Sequence, residues 1–266
     1  MSSHAEQHTL YQIANAPLRE HPYPHILVRD VFEPAYYRRI LEHLLPVEQM
    51  KPIKEVRALG KNYSNERFVF PLLPDHIGAL RPPHGPFWSE LSSWLLGVPF
   101  AQALVRRFAA QLGQRFGSRD PSLYIEAMLV DDRTRYSLGP HSDSQTKVIT
   151  LLFYLPADEA RPHLGTSIYT PRDPNFRCAG GPHYPFEKFE RVITMPYLPN
   201  TLFAFFKTDN SFHGVEPVRD EDYRRHLLFY DLRCGMEDVV AAPPGAAPKS
   251  ADAPQPAGGP TVEFRF

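Results

Sequence analysis

The chain of 266 residues has few cysteines, no surplus of either charge and no long apolar run. Its two cysteines, Cys178 and Cys234, cannot build a disulfide scaffold, and two free thiols in a reducing compartment are expected. Twenty-nine Lys and Arg stand against 30 Asp and Glu, a formal net charge of −1. Nothing in that balance attracts a phosphate backbone, so nucleic acid is not an expected partner. The longest apolar stretches, such as VITLLFYL (148–155), are far too short to span a bilayer. No N-terminal stretch shows the charged-then-apolar pattern of a signal peptide. A cytoplasmic location without a membrane partner follows as the expectation, and oligomeric state stays open. Internal repeats are lacking as well.

Proline, by contrast, is abundant. Twenty-nine prolines argue against an all-helical fold and for many turns and short strands. Residues 1–21 read as a loose polar leader and 236–266 as a Pro/Ala-rich tail, with low complexity over 241–260. Between them, 22–235 reads as one domain. Its first part, about 22–120, supplies helical support: a short strand near His25, a helix from Glu33-Pro34 to Pro46, and helical spacing over 87–97 and 100–117. Residues 50–85 read as irregular. From about 121 to 235 the chain turns to short strands rich in β-branched and aromatic residues: LYIEAMLVDD, KVITLLFYLP, GTSIYTP, NTLFAFFKT, FHGVEPV and RRHLLFYDLR. The expected class is mainly β with flanking helices, a sandwich or jelly-roll barrel. Residues 170–192 form a long irregular insertion of the kind that serves as a lid or binding loop.

Within GPHSDSQTKVITLLFYLP, His141 and Asp143 are one residue apart. On an extended backbone they share a face, an imidazole and a carboxylate side by side. These are two legs of a two-histidine, one-carboxylate facial triad, which holds non-haem Fe(II) and leaves the opposite face open. His213, in SFHGVEPV, is the candidate third leg; by itself it also reads as a turn histidine at a strand edge.

The ordered set of motifs resembles the Fe(II)/2-oxoglutarate-dependent dioxygenases, in particular their prolyl-hydroxylase-like branch. His-x-Asp leads into an apolar strand ending in FYLP. The glycine-led LGTSIY, the Phe-rich LPNTLFAFF and HGVEPV follow, and then a basic residue opens the last strand. PYPHILVRDVFEPAYYRRIL is similar to the family's N-terminal strand and helix. The resemblance spans roughly 22–235 and implies a double-stranded β-helix with His141, Asp143 and His213 as metal ligands and catalytic centre. It implies Fe(II), 2-oxoglutarate and O2 as cofactor and co-substrates, with ascorbate as reductant. The implied reaction hydroxylates a C–H bond of a small molecule, amino acid or peptide and releases succinate and CO2. A jelly-roll binding or sensor module without turnover, and a metal-dependent oxygenase that does not use 2-oxoglutarate, are the competing expectations.

The distal carboxylate of 2-oxoglutarate needs a cation, and the planar fork of arginine suits it. Arg224 and Arg225 are adjacent, and strand alternation lets only one face inward. Arg224, eleven positions past His213, is favoured narrowly. Inward Arg224 would bring His226, Leu228 and Tyr230 with it, and inward Arg225 would bring Leu227, Phe229 and Asp231. Tyr136 reads equally as a residue of the active-site mouth and as a packing aromatic. Lys147 reads as a solvated strand start, Arg219 and Arg233 as surface charges, His163 and His183 as loop residues, and Gly165 as a turn former.

Overall fold

A computed structural model describes residues 3–57, 59, 63–221 and 223–239, with the backbone of 261–263. In chain order its elements are α1 (His4–Asn15), β1 (His25–Arg29), α2 (Pro34–Glu42), β2 (Lys51–Pro52), α3 (Ile53–Val56), β3 (Arg67–Pro71), α4 (Pro74–Gly78), α5 (His84–Leu95), α6 (Val98–Arg107) and α7 (Ala109–Phe116). Then come β4 (Ser122–Asp132), β5 (Leu138–His141), β6 (Lys147–Tyr154), β7 (Ser167–Pro171), β8 (Phe189–Thr194), β9 (Thr201–Phe206), β10 (His213–Val215), β11 (Arg225–Cys234) and β12 (Thr261–Glu263).

The strands form two antiparallel sheets. The larger runs β1-β9-β6-β11-β4-β3-β2, with β12 also against β4, and the smaller runs β5-β10-β7-β8. This is the expected jelly roll, with most helices ahead of it in the chain. β6 lies near the middle of the larger sheet and every one of its residues is buried, which explains its unbroken apolar run. β11 alternates strictly. Leu228, Tyr230 and Leu232 pack outward among the helices, and Leu227 packs inward with Met128, Leu152 and Phe203. On the outer face Trp88, Leu91 and Leu95 of α5 and Phe100 and Leu104 of α6 are fully buried. Each such side chain contributes about 1.5–3 kcal/mol by leaving water.

Three segments differ from expectation. The 170–192 insertion is not irregular throughout: its ends belong to β7 (Ser167–Pro171) and β8 (Phe189–Thr194), which pair with each other. The leader is not loose: α1 starts where the Ser3 hydroxyl accepts a hydrogen bond from the Glu6 amide, and it packs against α6 with Thr9 and Ile13 wholly buried. Its buried positions, Ala5, Glu6, Thr9 and Ile13, include only one large apolar side chain, so the stripe is faint in sequence. Residues 50–85 are not merely irregular either. β3 pairs with β4 in register, Arg67 opposite Asp132, and so joins the barrel wall. The low-complexity segment 241–260 lies outside the described residues. No helix among the described residues is long and apolar enough to cross a membrane.

Candidate metal centre

β5 ends at His141 and β10 begins at His213, and the two are direct partners in the smaller sheet. Cross-strand pairing therefore sets the two imidazoles side by side, tilted at 52° with ring centroids 4.3 Å apart. Asp143, two residues past His141, turns back toward both rings. Its Oδ1 is 3.8 Å from His141 Nε2 and its Oδ2 is 3.7 Å from His213 Nε2. One ligand atom from each of the three residues lies within 4.8 Å of the others, and all three side chains are buried.

The hydrogen bonds fix which nitrogens are free. His141 Nδ1 donates to the Gly139 carbonyl and His213 Nδ1 to the Ser211 carbonyl, each at 3.0 Å. A carbonyl only accepts, so both protons sit on Nδ1 and both Nε2 lone pairs face the carboxylate. Burial pushes both imidazoles below their ordinary pKa, for His141 with help from His213 and His183 beside it. They are therefore neutral, the form that ligates a metal. Burial alone would raise the Asp143 carboxyl. Lys147, with His213 and His141, overcomes that and holds it below the usual carboxylate range. Two neutral imidazoles and one ionised carboxylate on one side of a cavity fit a divalent metal of the Fe(II) type.

A cavity of about 280 Å³ opens beside these groups. At one end Arg225, 1% exposed, donates to Asp132 Oδ2 at 2.7 Å, to the Leu164 carbonyl at 2.5 Å and to Thr166 Oγ1 at 3.3 Å. Arg67 makes a two-pronged pair with the same Asp132, at 2.6 and 2.8 Å. Both arginines line the cavity. Arg224, favoured from spacing, does not: it lies on the other face of the sheet and bonds Asp131 Oδ2 at 2.6 Å, with its side chain 37% exposed. Alternation decides this, because Arg225 shares its face with Leu227 and Phe229, which also line the cavity.

Several other residues depart from the sequence reading, while Tyr136 falls within one of its two readings, a packing aromatic. Tyr136 is fully buried behind the lining, its ring 4.3 Å from the Arg67 guanidinium carbon and its hydroxyl 3.4 Å from that of Tyr63. Lys147 is buried rather than solvated and bridges Asp143 and Asp231, 3.1 Å from each. Arg233 is a cavity residue rather than a surface charge, bonded to Glu126 at 3.1 Å and to Thr146 at 2.7 Å. His163 and Arg219 are exposed, as expected of loop and surface positions, and His163 meets Asp220. Gly165 is extended (φ −74°) and faces the Met195 carbonyl, so it is needed for close approach rather than for a turn. Cys178 and Cys234 are free and buried.

The insertion is bolted to the segment that carries His141 and Asp143. The Ser142 hydroxyl, between His141 and Asp143, donates to the Cys178 carbonyl at 2.8 Å, and the Tyr184 amide donates to the Pro140 carbonyl at 2.9 Å. Between these ties His183 reaches the cavity rim, its ring 4.6 Å from that of His141, and burial against the site lowers its pKa to about 4. Sequence reasoning passed over Arg57, Arg67 and Glu126. Glu126 had a signal: Tyr124, Glu126 and Met128 alternate along β4 and all line the cavity.

No family model and no curated protein matches the sequence. Among solved structures, the chain is similar to a 2OG-Fe(II) oxygenase family oxidoreductase from Burkholderia pseudomallei, at 16% identity and a TM-score of 0.44 over 87% of this chain and 91% of that one. It is similar to a Trichoplax adhaerens prolyl hydroxylase in complex with a hypoxia inducible factor peptide, at 14% identity and a TM-score of 0.49 over 90% and 93%. It is also similar to HygX from Streptomyces hygroscopicus with nickel and 2-oxoglutarate bound, at 12% identity and a TM-score of 0.42 over 80% and 83%.

Proposed function

We propose that the chain is a non-haem Fe(II)- and 2-oxoglutarate-dependent oxygenase that hydroxylates a C–H bond of a small-molecule, amino-acid or peptidyl substrate. The observation that carries this is the pair of free Nε2 lone pairs facing the Asp143 carboxylate on the wall of a cavity that ends in a buried arginine. His141, Asp143 and His213 would hold the iron. When bound, Fe(II) with 2-oxoglutarate and O2 supplies the oxidising chemistry, with succinate and CO2 as co-products.

The chain's own residues bind, orient and exclude water. The Gly139 and Ser211 carbonyls hold the two imidazoles in the ligating tautomer. Thr150 donates to Asp143 Oδ2 at 2.9 Å and Lys147 to Oδ1, which keeps the carboxylate ionised and fixes its plane. Arg225, seated on Asp132 and Thr166, is the anchor we assign to the distal carboxylate of 2-oxoglutarate, in place of Arg224. Its end of the cavity is the more enclosed one and suits a small co-substrate that is the same in every turnover. Leu227, Phe229, Met128 and Leu152 make the apolar stretch between anchor and metal.

The test is metal content and titration calorimetry followed by succinate release with Fe(II), 2-oxoglutarate, ascorbate and a panel of amino acids and small acids. The wild-type chain is expected to bind one divalent metal and then 2-oxoglutarate. His141→Ala, Asp143→Ala and His213→Ala are each expected to lose both metal binding and turnover. Full metal binding in Asp143→Ala would refute the assignment.

A further inference from the structure

The cavity has a second positive pole, opposite the Arg225 end. At the far end of β11, Arg57 and Arg233 both pair with one carboxylate, Glu126: Arg57 Nη2 meets Oε1, and Arg233 Nη1 lies 3.1 Å from Oε2. Arg233 Nη2 also donates to Thr146 Oγ1 at 2.7 Å and to Ser144 Oγ at 3.2 Å, and Nη1 stands 3.9 Å from Asp231. Hydroxyls and carboxylates thus hold the guanidinium on the wall in one orientation. Burial raises the Glu126 carboxyl, and Arg57 and Arg233 more than reverse this, so Glu126 is ionised. The metal ligands lie between the poles: Asp143 meets Lys147, Lys147 meets Asp231, and Asp231 neighbours Arg233.

Charge counting shows what the cavity lacks. Among the described residues the wall carries five cations, Arg57, Arg67, Lys147, Arg225 and Arg233. Their carboxylate partners are four, Glu126 and Asp143 on the wall and Asp132 and Asp231 just behind it. One positive charge is uncompensated. A divalent metal and the 2-oxoglutarate dianion cancel each other and leave that charge in place. In a partly desolvated site it favours a ligand with one negative charge, and paired guanidinium forks favour a carboxylate.

We infer that Arg57 and Arg233, mounted on Glu126, form a subsite for a carboxylate of the molecule that is oxidised, so that the substrate class is a carboxylic acid reaching the metal from the pole opposite Arg225. The inference rests on the proposed oxygenase reading and deepens it. The two poles differ as the two ligands would: Arg225 is 1% exposed, whereas the Arg57 and Arg233 side chains are 23% and 17% exposed and accessible to a molecule that enters and leaves as the variable partner.

Matched pairs test it: a set of N-acetyl amino acids and arylpropionic acids, each beside its primary amide, titrated by ligand-observed NMR into the chain loaded with redox-inert Zn(II) and 2-oxoglutarate, and into the metal-free chain. The acids that bind are expected to do so about tenfold or more tightly than their amides, the worth of one charge-assisted hydrogen bond. Arg233→Gln and Arg57→Gln should each erase the preference while leaving Zn(II) and 2-oxoglutarate affinity within about twofold; Arg57→Gln, at the more exposed of the two positions, guards against a folding defect in Arg233→Gln. Amides that bind as tightly as acids, or no acid bound at 10 mM, as a rough upper limit for specific binding, would overturn the subsite. Failure of the wild-type chain to bind Zn(II) and 2-oxoglutarate would sink the oxygenase reading instead, and the acid preference of the metal-free chain would still decide the subsite.

Discussion

Arg224 and Arg225 are neighbours with opposite fates. Arg225→Leu removes a charged fork from the closed end of the cavity and is expected to raise the 2-oxoglutarate requirement about 10- to 100-fold, the equivalent of about 1.5–3 kcal/mol. Arg224→Leu is expected to leave it within about threefold, because its partner Asp131 stands on the other side of the sheet and also meets Arg133. Equal effects of the two changes, read from 2-oxoglutarate saturation curves, would remove the anchor assignment. The cluster of His141, Asp143 and His213 was legible in the sequence because His-x-Asp is local and because His213 sits in a recognisable run of motifs. Which arginine faces the cavity was not, since one residue of strand register reverses every side chain and nothing local sets that register. Lys147 and Arg233 were misread for a related reason. A cation at a strand end reads as solvated unless its buried carboxylate partners, which come from other strands, are known.

Gly165 and Gly113 make a contrast between elements. A Cβ at Gly165, just before β7, would lie 1.6 Å from the Met195 carbonyl oxygen, while one at Gly113, exposed on α7, would meet nothing within 4 Å. Gly165→Ala should destabilise the chain by about 2–4 kcal/mol, because the backbone at Met195 must move. Gly113→Ala should stabilise it by about 0.5–1 kcal/mol, through helix propensity alone. Urea unfolding midpoints check both, and a neutral Gly165→Ala would mean that β7 and the 195–197 segment do not pack as described. The β6 and β11 strands were legible because their patterns follow directly from burial on two faces and from alternation. α1 and β3 were not: the buried face of α1 includes Glu6 and Thr9, and β3 lies in a proline-bounded stretch whose Arg67 is buried only because Asp132 awaits it.

Proton linkage acts on the fold in one direction. His25, His141, His213 and His226 all have pKa values lowered chiefly by burial. Each binds a proton less readily folded than unfolded, so the unfolded chain takes up more protons once pH drops below the unfolded value of about 6.5. Stability should therefore fall as pH is lowered from about 7 to 5. The depressed carboxyls of Asp143 and Glu126 add a further loss only below their unfolded value of about 4. Thermal melts of the metal-free chain across that range should show a declining midpoint, and a flat profile would contradict the buried neutral state of these rings.

The two ties from the insertion to the ligand strand have a further consequence. Ser142 stands between His141 and Asp143 and holds the Cys178 carbonyl, so whatever stiffens the ligands also stiffens the loop, and the coupling is reciprocal. Arg172 and Arg177 are exposed on that loop and are natural points of trypsin attack. Cleavage there should slow when a divalent metal is bound, and a nicked chain should hold its metal more weakly. The insertion would then report the occupancy of the centre to the outside of the protein, as a difference in lifetime under proteolysis.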